Sequence, residues 1–312
     1  MERDAQYGSL HGRVALITGG ARGIGLSISR RLHACGAHVL IADSGVSIAG
    51  ETPDPAVAEA AARELGERAS SFSADLSNPE NAAKAVSEAV SRFGAIDLVV
   101  NNAAILRDSL VFKGNPANWD SVLRTNLSAA FYVLAAATPH LRQQIKAGRS
   151  EGRIVNITSS TGIYGNFGQS AYASAKAGLL GLSRVVAMDM ARSGVTCNAV
   201  APFAATRVTE AIHPANTEQA QYKERALTVS ASFVAEFVAY LCSEDAREIS
   251  GQLFGVRGRE VFLFSQPRPI EQFVVPKDDQ GAALPALVNQ FFASKLTKLE
   301  TDLEAFNTEP VI

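Results

Sequence analysis

The chain has 312 residues, 47% of them hydrophobic, and 29 basic against 31 acidic side chains give a formal net charge of −2. That is ample apolar material for a sizeable core, and the near-neutral balance gives no electrostatic reason to expect nucleic acid or an anionic membrane as partner. A small-molecule function is favoured.

Residues 1–12 are polar and mixed in charge, with no apolar stretch like that of a secretory signal. No later apolar run reaches the length of a membrane span, so a cytoplasmic protein is expected. Cys35, Cys197 and Cys242 lie far apart without CxxC or Cys/His ligand spacing, which points to buried reduced thiols rather than disulfides or zinc.

Short β-branched runs then alternate with helical patterns. The strand candidates are 13–19, 38–43, 70–75, 96–102, 153–158, 195–200 and 252–256. The helical stretches are Gly25–Ala34, Pro55–Leu65, Pro79–Phe93, Asn118–Ile145, Ser170–Arg192 and Val234–Cys242. This alternation predicts an α/β fold, a doubly wound parallel sheet with helices on both faces, in a single domain over 13–263. Segment 44–57 is longer than the usual βα connection of about 2–6 residues, and reads as a surface insertion near a strand's carboxyl end, where ligands bind in such folds. From 264 to 312 the rhythm gives way to a Pro-punctuated linker and an amphipathic helix around Leu284–Leu299, a carboxyl-terminal extension.

The first strand runs into "LITGGARGIG" at 16–25, with Gly19, Arg22, Gly23, Ile24 and Gly25 at the opening of a helix. Glycines there let the backbone approach a pyrophosphate, and the helix amino terminus offers free N–H groups with partial positive charge. Asp43 closes the second strand about 20 residues further on, where a carboxylate accepts hydrogen bonds from the adenosine ribose and repels a 2′-phosphate. Arg22 argues the other way, since a guanidinium beside the turn suits that phosphate. NAD is the expected cofactor and NADP the alternative.

Tyr172 and Lys176 stand four residues apart near the start of a helix, so both can face one ligand. An ammonium close to a phenol favours the phenolate, which predicts a Tyr172 pKa lowered from about 10 towards neutrality and a usable base. Upstream, "NITSSTG" at 156–162 places hydroxyls after a strand, where a serine can hold a substrate oxygen; Ser159 and Ser160 compete for that place. The five histidines, including His33, His38 and His213, form no pair with ligand spacing, so no metal site is expected.

The glycine turn, "NNAA" at 101–104, Asn126 in "RTNLS", Ser159 and the YxxxK of 172–176 form an ordered set. Over about residues 13–256 the chain resembles the short-chain dehydrogenase/reductase family. That resemblance implies a Rossmann-type fold and NAD(P)-dependent oxidation of secondary alcohols or reduction of ketones. It implies Tyr172 as general acid/base, Lys176 as the residue that binds the nicotinamide ribose and depresses the tyrosine pKa, and Ser159, thirteen positions before the tyrosine, as the substrate-oxygen anchor. Asn126 matches the asparagine that holds a water of the proton relay. Asp75 and Leu76 match the adenine contacts, Asn102 and Ala103 the segment along the adenosine ribose, and Pro202 to Thr206 the cover of the nicotinamide.

Two departures stand out. The family's NNAG is NNAA here, adding a methyl group at Ala104, and its PG after the sixth strand is PF, with Phe203, which puts the shape of the nicotinamide-side lid in doubt. The loops look like those of the hydroxyacyl-CoA dehydrogenase domain of multifunctional enzyme type 2 and its bacterial relatives, so a 3-hydroxyacyl-CoA-like thioester is the expected substrate. A steroid or alicyclic alcohol, or NADPH-dependent reduction of a 3-oxoacyl thioester, are the alternatives, and a catalytically silent dinucleotide sensor is the non-enzyme one. The resemblance further implies a homodimer or homotetramer. The polar segment 206–225 is read as the lid that shapes specificity.

Overall fold

A computed structural model describes residues 9–150, 152–210, 217–277 and 281–312. His213, part of the 206–225 lid and most of the polar lead-in lie outside the described residues.

Eight strands form one sheet: β1 (Val14–Thr18), β2 (His38–Ala42), β3 (Ala69–Phe72), β4 (Leu98–Asn101), β5 (Arg153–Ile157), β6 (Thr196–Phe203), β7 (Leu253–Arg257) and β8 (Glu260–Leu263). Their order is β3-β2-β1-β4-β5-β6-β7-β8, with the first seven parallel. Every residue of β1, β4 and β5 is buried, as a parallel sheet covered on both faces requires. Helices α1 (Gly23–Ala34) and α2 (Pro55–Leu65) contribute to one apolar layer, and α3 (Pro79–Phe93) to the other. The chain moves outward through β2 and β3 and returns to lay β4 on the other side of β1. That reversal leaves a crevice at the carboxyl ends of β1 and β4, where such sheets bind ligands.

Helix entries follow local chemistry. Asp54 and Asn78 cap α2 and α3, each accepting a hydrogen bond from the first-turn backbone, with proline at the first helical position. Asn115 does the same for α4 (Pro116–Leu123). The long helix expected over 118–145 is interrupted: a π-helical turn at Arg124–Ser128 separates α4 from α5 (Ala129–Lys146). The physical reason lies in two side-chain demands. Asn126 accepts from Ile105 N–H at 2.8 Å and donates to Ile105 C=O at 2.9 Å, while Leu127 seats against Gly178, where an added Cβ would stand 2.7 Å from its methyl. Wide turns of this kind concentrate at functional sites.

The chain continues through the short α6 (Thr161–Tyr164), the long α7 (Ser170–Met190), α8 (Arg207–Glu210), α9 (Thr217–Thr228) and α10 (Ser232–Cys242). No single helix among the described residues is long and apolar enough to cross a membrane; the bent pair α9 and α10 passes that test by length and composition only, and α10 is largely buried.

β8 is a strand that the sequence reading did not find. It turns back antiparallel on β7 through Gly258, whose φ of +57° lies in the left-handed region, and the hairpin is tied by Arg257, which donates to Glu260 at 2.8 and 2.9 Å.

Two compact units result. Residues up to Phe264 together with Thr301–Ile312 form the first, and Ser265–Glu300 the second. In the second, α11 spans Leu284–Phe291, shorter than the expected helix, and Phe273 packs on Phe291 and Phe292. A last turn, α12 (Asp302–Ala305), belongs to the first unit.

Candidate active site

A cavity of about 470 Å³ opens at the carboxyl edge of the sheet, within the range of about 300–1,000 Å³ common for small-molecule sites. Gly19, Arg22, Gly23, Ile24, Gly25, Asp43, Asp75, Leu76, Asn102 and Ala103 line one part of the wall; Ser159, Tyr172, Lys176, Pro202 and Thr206 line another. Asn126 is absent from this wall and borders a small neighbouring void. Its side chain is spent on the backbone of Ile105 and so holds the loop after β4.

The nucleotide end is built by close approach. A Cβ on Gly25 would stand 2.0 Å from Gly19 O, and one on Gly19 would stand 2.8 Å from Ala103 Cα. Asn102 clasps the turn by donating to Thr18 O at 3.1 Å and Gly19 O at 2.9 Å. α1 begins without a side-chain cap and with no acidic residue in its first turn, which leaves its amide dipoles for an anion. A pyrophosphate fits such a cradle.

Asp43 is buried, and its two oxygens accept from Ala21 N–H at 3.1 Å and Gly45 N–H at 2.8 Å. Backbone therefore fixes the carboxylate in the cavity wall. Arg22 stands 3.9 Å away but directs its guanidinium to Val46 O at 2.6 Å. Asp75 accepts from Ser77 N–H and Oγ at 2.9 and 2.8 Å, which holds the loop that places Leu76 on the wall.

At the other end, Lys176 is only 2% exposed and donates to Ile157 O at 2.8 Å, with its Nζ 5.7 Å from the centre of the Tyr172 ring. The expected lowering of the tyrosine pKa by this lysine is corrected by the structure. Burial pushes the phenol up to about 12; hydrogen bonding to Ser159 pulls it down, while the Asp302 and Asp108 carboxylates push it further up. Burial also lowers the pKa of Lys176, to about 8.

The two serines are distinguished by their partners. Ser160 donates to Asp302 Oδ2 at 2.8 Å, whereas the Ser159 hydroxyl accepts from Thr161 N–H at 3.2 Å and bonds to Tyr172. Of the two departures, Ala104 packs into the small apolar cluster that includes Ile105 and Tyr172. Phe203 is buried against Phe306 with ring centroids 4.5 Å apart, so the aromatic side chain anchors the carboxyl-terminal segment.

Several lining residues were not singled out from sequence. Val46, Ser47 and Ile48 of the 44–57 insertion fold onto the wall, held by Leu106 N–H donating to Ile48 O at 2.8 Å and Arg107 donating to Ala49 O at 2.8 Å. Arg207, Tyr222, Asp302 and Leu303 join them from distant parts of the chain. Arg207 and Tyr222 fall in the 206–225 segment read as the lid, whereas the local signal for Asp302 and Leu303 is the T-x-x-E of Thr301 and Glu304, a capping box that marks a helix start. Among the described residues no group of three or more His, Cys, Asp or Glu side chains could hold a metal ion.

Comparison with known proteins agrees with this architecture. The family described as short chain dehydrogenase matches residues 13–219. The chain belongs to this family. It is 35% identical over 237 residues to peroxisomal multifunctional enzyme type 2 of Drosophila melanogaster, covering 76% of this chain but only 38% of that much longer relative. It is 35% identical over 256 residues to the 3-oxoacyl-[acyl-carrier-protein] reductase FabG of Vibrio cholerae, covering 80% of this chain and 98% of the relative. A crystal structure of a short chain dehydrogenase from Mycobacterium avium superposes with a TM-score of 0.79 at 29% identity, covering 94% of this chain and 99% of that one. This short-chain dehydrogenase is an oxidoreductase acting on alcohol and ketone groups, with a nicotinamide dinucleotide as cofactor.

Proposed function

We propose that this enzyme interconverts 3-hydroxyacyl and 3-oxoacyl thioesters with NAD(H). The observation that carries the reading is one cavity joining the amide cradle and fixed Asp43 at one end to Ser159, Tyr172 and Lys176 at the other. Bound cofactor supplies the hydride in ketone reduction and receives it in alcohol oxidation. Ser159 and the Tyr172 hydroxyl hold the substrate oxygen between them. Tyr172, neutral at pH 7, gives its proton to the developing alkoxide in reduction and takes one back in oxidation. Lys176 supplies positive charge behind the phenol, and Asn126 positions the loop after β4. Commitment of Ser160 to Asp302 supports Ser159 as the oxygen anchor. The thioester class rests on the loop resemblance and on the relative named a 3-oxoacyl reductase.

Asp43 supports NAD, because a carboxylate held in place by two backbone amides repels a 2′-phosphate. A second reading, NADPH, has one observation behind it: Arg22 and Arg207 both reach Val46 O beside Asp43. We assign a homo-oligomer through α5 and α7, whose outer faces leave Phe131, Val185 and Met188 exposed.

The test is loss of NADH absorbance on adding acetoacetyl-CoA, with NADPH in parallel. NADH-specific turnover supports the proposal. A preference for NADPH overturns the role of Asp43, and absence of turnover with NADH bound moves the substrate to steroid or alicyclic ketones.

The two shifted groups also fix a pH dependence. A raised Tyr172 pKa keeps the phenol protonated near neutrality, so alcohol oxidation, which needs the base, rises with pH from 6 to 9. The lowered Lys176 pKa means that its charge is present below about 8 and lost above it, so ketone reduction is flat at acid pH and falls above about 8. Rate profiles in both directions check this; an oxidation rate independent of pH would contradict it.

A further inference from the structure

Thr301–Ile312 is held against the first unit by anchors that do not involve Asp302. Phe306 sits among Phe203, Phe262, Phe264 and Tyr164, with ring centroids 4.5 to 6.3 Å away. Arg257, itself buried, donates to Phe306 O at 2.9 Å and to Thr308 Oγ1 at 2.9 Å. Arg225 of α9 donates to Asn307 Oδ1 and stands 3.6 Å from Glu309. Arg259 N–H donates to Val311 O at 2.7 Å, and Gly258 leaves the room for it, since a Cβ there would stand 2.2 Å from that oxygen. A change at Asp302 alone therefore leaves the segment in place.

These anchors bring the start of α12 to the turn that carries Ser159. Asp302 N–H donates to Gly165 O at 3.3 Å, and its Oδ2 accepts from Ser160 Oγ at 2.8 Å and Thr161 Oγ1 at 2.7 Å. Ser160 and Thr161 are both buried, so their hydroxyls have little access to water and this one oxygen orients both. Burial raises the Asp302 pKa while the two hydroxyls lower it. Oδ2 accepts in the neutral form as in the ionised one, so the contact does not depend on charge. The same turn lies against α7, where a Cβ on Gly162 would stand 2.8 Å from Ala177 N.

Thr161 passes the constraint on. Its N–H donates to Ser159 Oγ at 3.2 Å, and Ser159 bonds to Tyr172. A serine hydroxyl has three staggered positions open to it, and the Thr161 amide selects the one observed. An unbroken run of contacts thus leads from the end of the chain through Thr161 and Ser159 to the reacting phenol.

We propose that Asp302 is a positioning residue for Ser159: through Thr161 and Ser160 it holds the 159–161 turn so that the serine hydroxyl meets the substrate oxygen beside Tyr172. The role rests on Ser159 being the oxygen anchor, and it gives the carboxyl-terminal segment a part in the reaction without contact with substrate.

A double-mutant cycle is the test. kcat and the NADH Kd are measured for Asp302→Ala, Ser159→Ala and the pair, with acetoacetyl-CoA or, where wild-type enzyme does not reduce it, cyclohexanone. Asp302→Ala should lower kcat about tenfold to a hundredfold, the scale expected when a reacting group is misplaced by up to about an ångström. NADH affinity should stay within about twofold, because the glycine cradle and Asp43 lie on other elements. Added to Ser159→Ala, the same change should cost less than about twofold, since a residue that acts through the serine hydroxyl has nothing to act on once it has gone. A general structural role would lower kcat by the same factor in both backgrounds.

Thr161→Val, which removes the hydroxyl and keeps the shape, should reproduce the loss, and Thr161→Ser should recover most of it. This second pair decides where Asp302→Ala does not fold. Equal losses in both backgrounds, or wild-type kcat in Asp302→Ala or Thr161→Val, overturn the proposal while leaving Ser159 as the anchor. Removing an oxyanion donor costs about 10²–10³-fold. If Ser159→Ala alone keeps more than about a tenth of wild-type kcat, the reading of Ser159 has failed and the role of Asp302 falls with it.

Discussion

Tyr172→Phe is expected to lose turnover by about 10²–10⁴-fold, the usual contribution of a positioned general acid/base, while NADH binding stays within about threefold of wild type. In barrier terms that loss is about 3–5 kcal/mol. The substitution removes one oxygen and keeps the ring, which packs with Ile105, Val122 and Ala171 in a small apolar cluster. Folding should therefore be little changed. Lys176 keeps its bond to Ile157 O, and the glycine cradle and Asp43 lie on other elements, so the cofactor meets the same wall. Single-turnover rates with NADH fluorescence on the same samples separate the two quantities. A variant retaining more than a tenth of wild-type turnover would remove Tyr172 from the chemistry.

That prediction isolates the hydroxyl, and the structure explains why it should be needed in its protonated form. A phenol held near 12 by burial is a poor base at neutral pH and a competent acid towards a developing alkoxide. The buried ammonium offsets the charge left on the tyrosine once the proton has gone.

Local patterns were the legible part of the site. The glycine turn, Asp43, Ser159 and the YxxxK pair each follow from a strand end or one helix turn, and all of them reach one cavity. Seven strands were legible because each is a short β-branched run between helical segments. β8 was missed because its residues pair only after Gly258 reverses the chain, and nothing in a four-residue run announces that. The π turn escaped notice for a similar reason: periodicity predicts a continuous helix, and the demands of Ile105 on Asn126 and of Gly178 on Leu127 arise only in three dimensions. Asp302 is the clearest case. It lies more than 140 residues from Ser160 in sequence, beyond a Pro-rich stretch, and the aromatic cage around Phe306 with the Arg257 hydrogen bonds holds it at the wall. Phe203 reads as a departure from a family motif until that cage is seen; it is then one wall of the cage.

Gly25→Ala should abolish measurable NADH binding and lower the melting temperature, whereas Gly181→Ala should do neither. Both glycines lie in helices with ordinary negative φ, so conformational freedom does not separate them. Close approach does. A methyl group on Gly25 would stand 2.0 Å from Gly19 O and 2.5 Å from Asn102 Nδ2, the atom that clasps the turn. Backbone on one side and a committed side chain on the other leave no direction for relief, so the turn must open. Overpacking of this kind costs about 3 kcal/mol or more, or roughly 6–12 °C in melting temperature for a chain of this size. An opened turn withdraws the α1 amides from the place where a pyrophosphate would lie, and affinity should fall by more than about a hundredfold, the equivalent of some 3 kcal/mol. At Gly181 an added Cβ meets nothing within 4 Å, and alanine there should raise stability by about 0.5–1 kcal/mol through helix propensity. Thermal melting and fluorescence titration with NADH on the pair decide the matter. If Gly25→Ala bound NADH within tenfold of wild type, the close approach of α1 to the first strand would not be what makes the cofactor site.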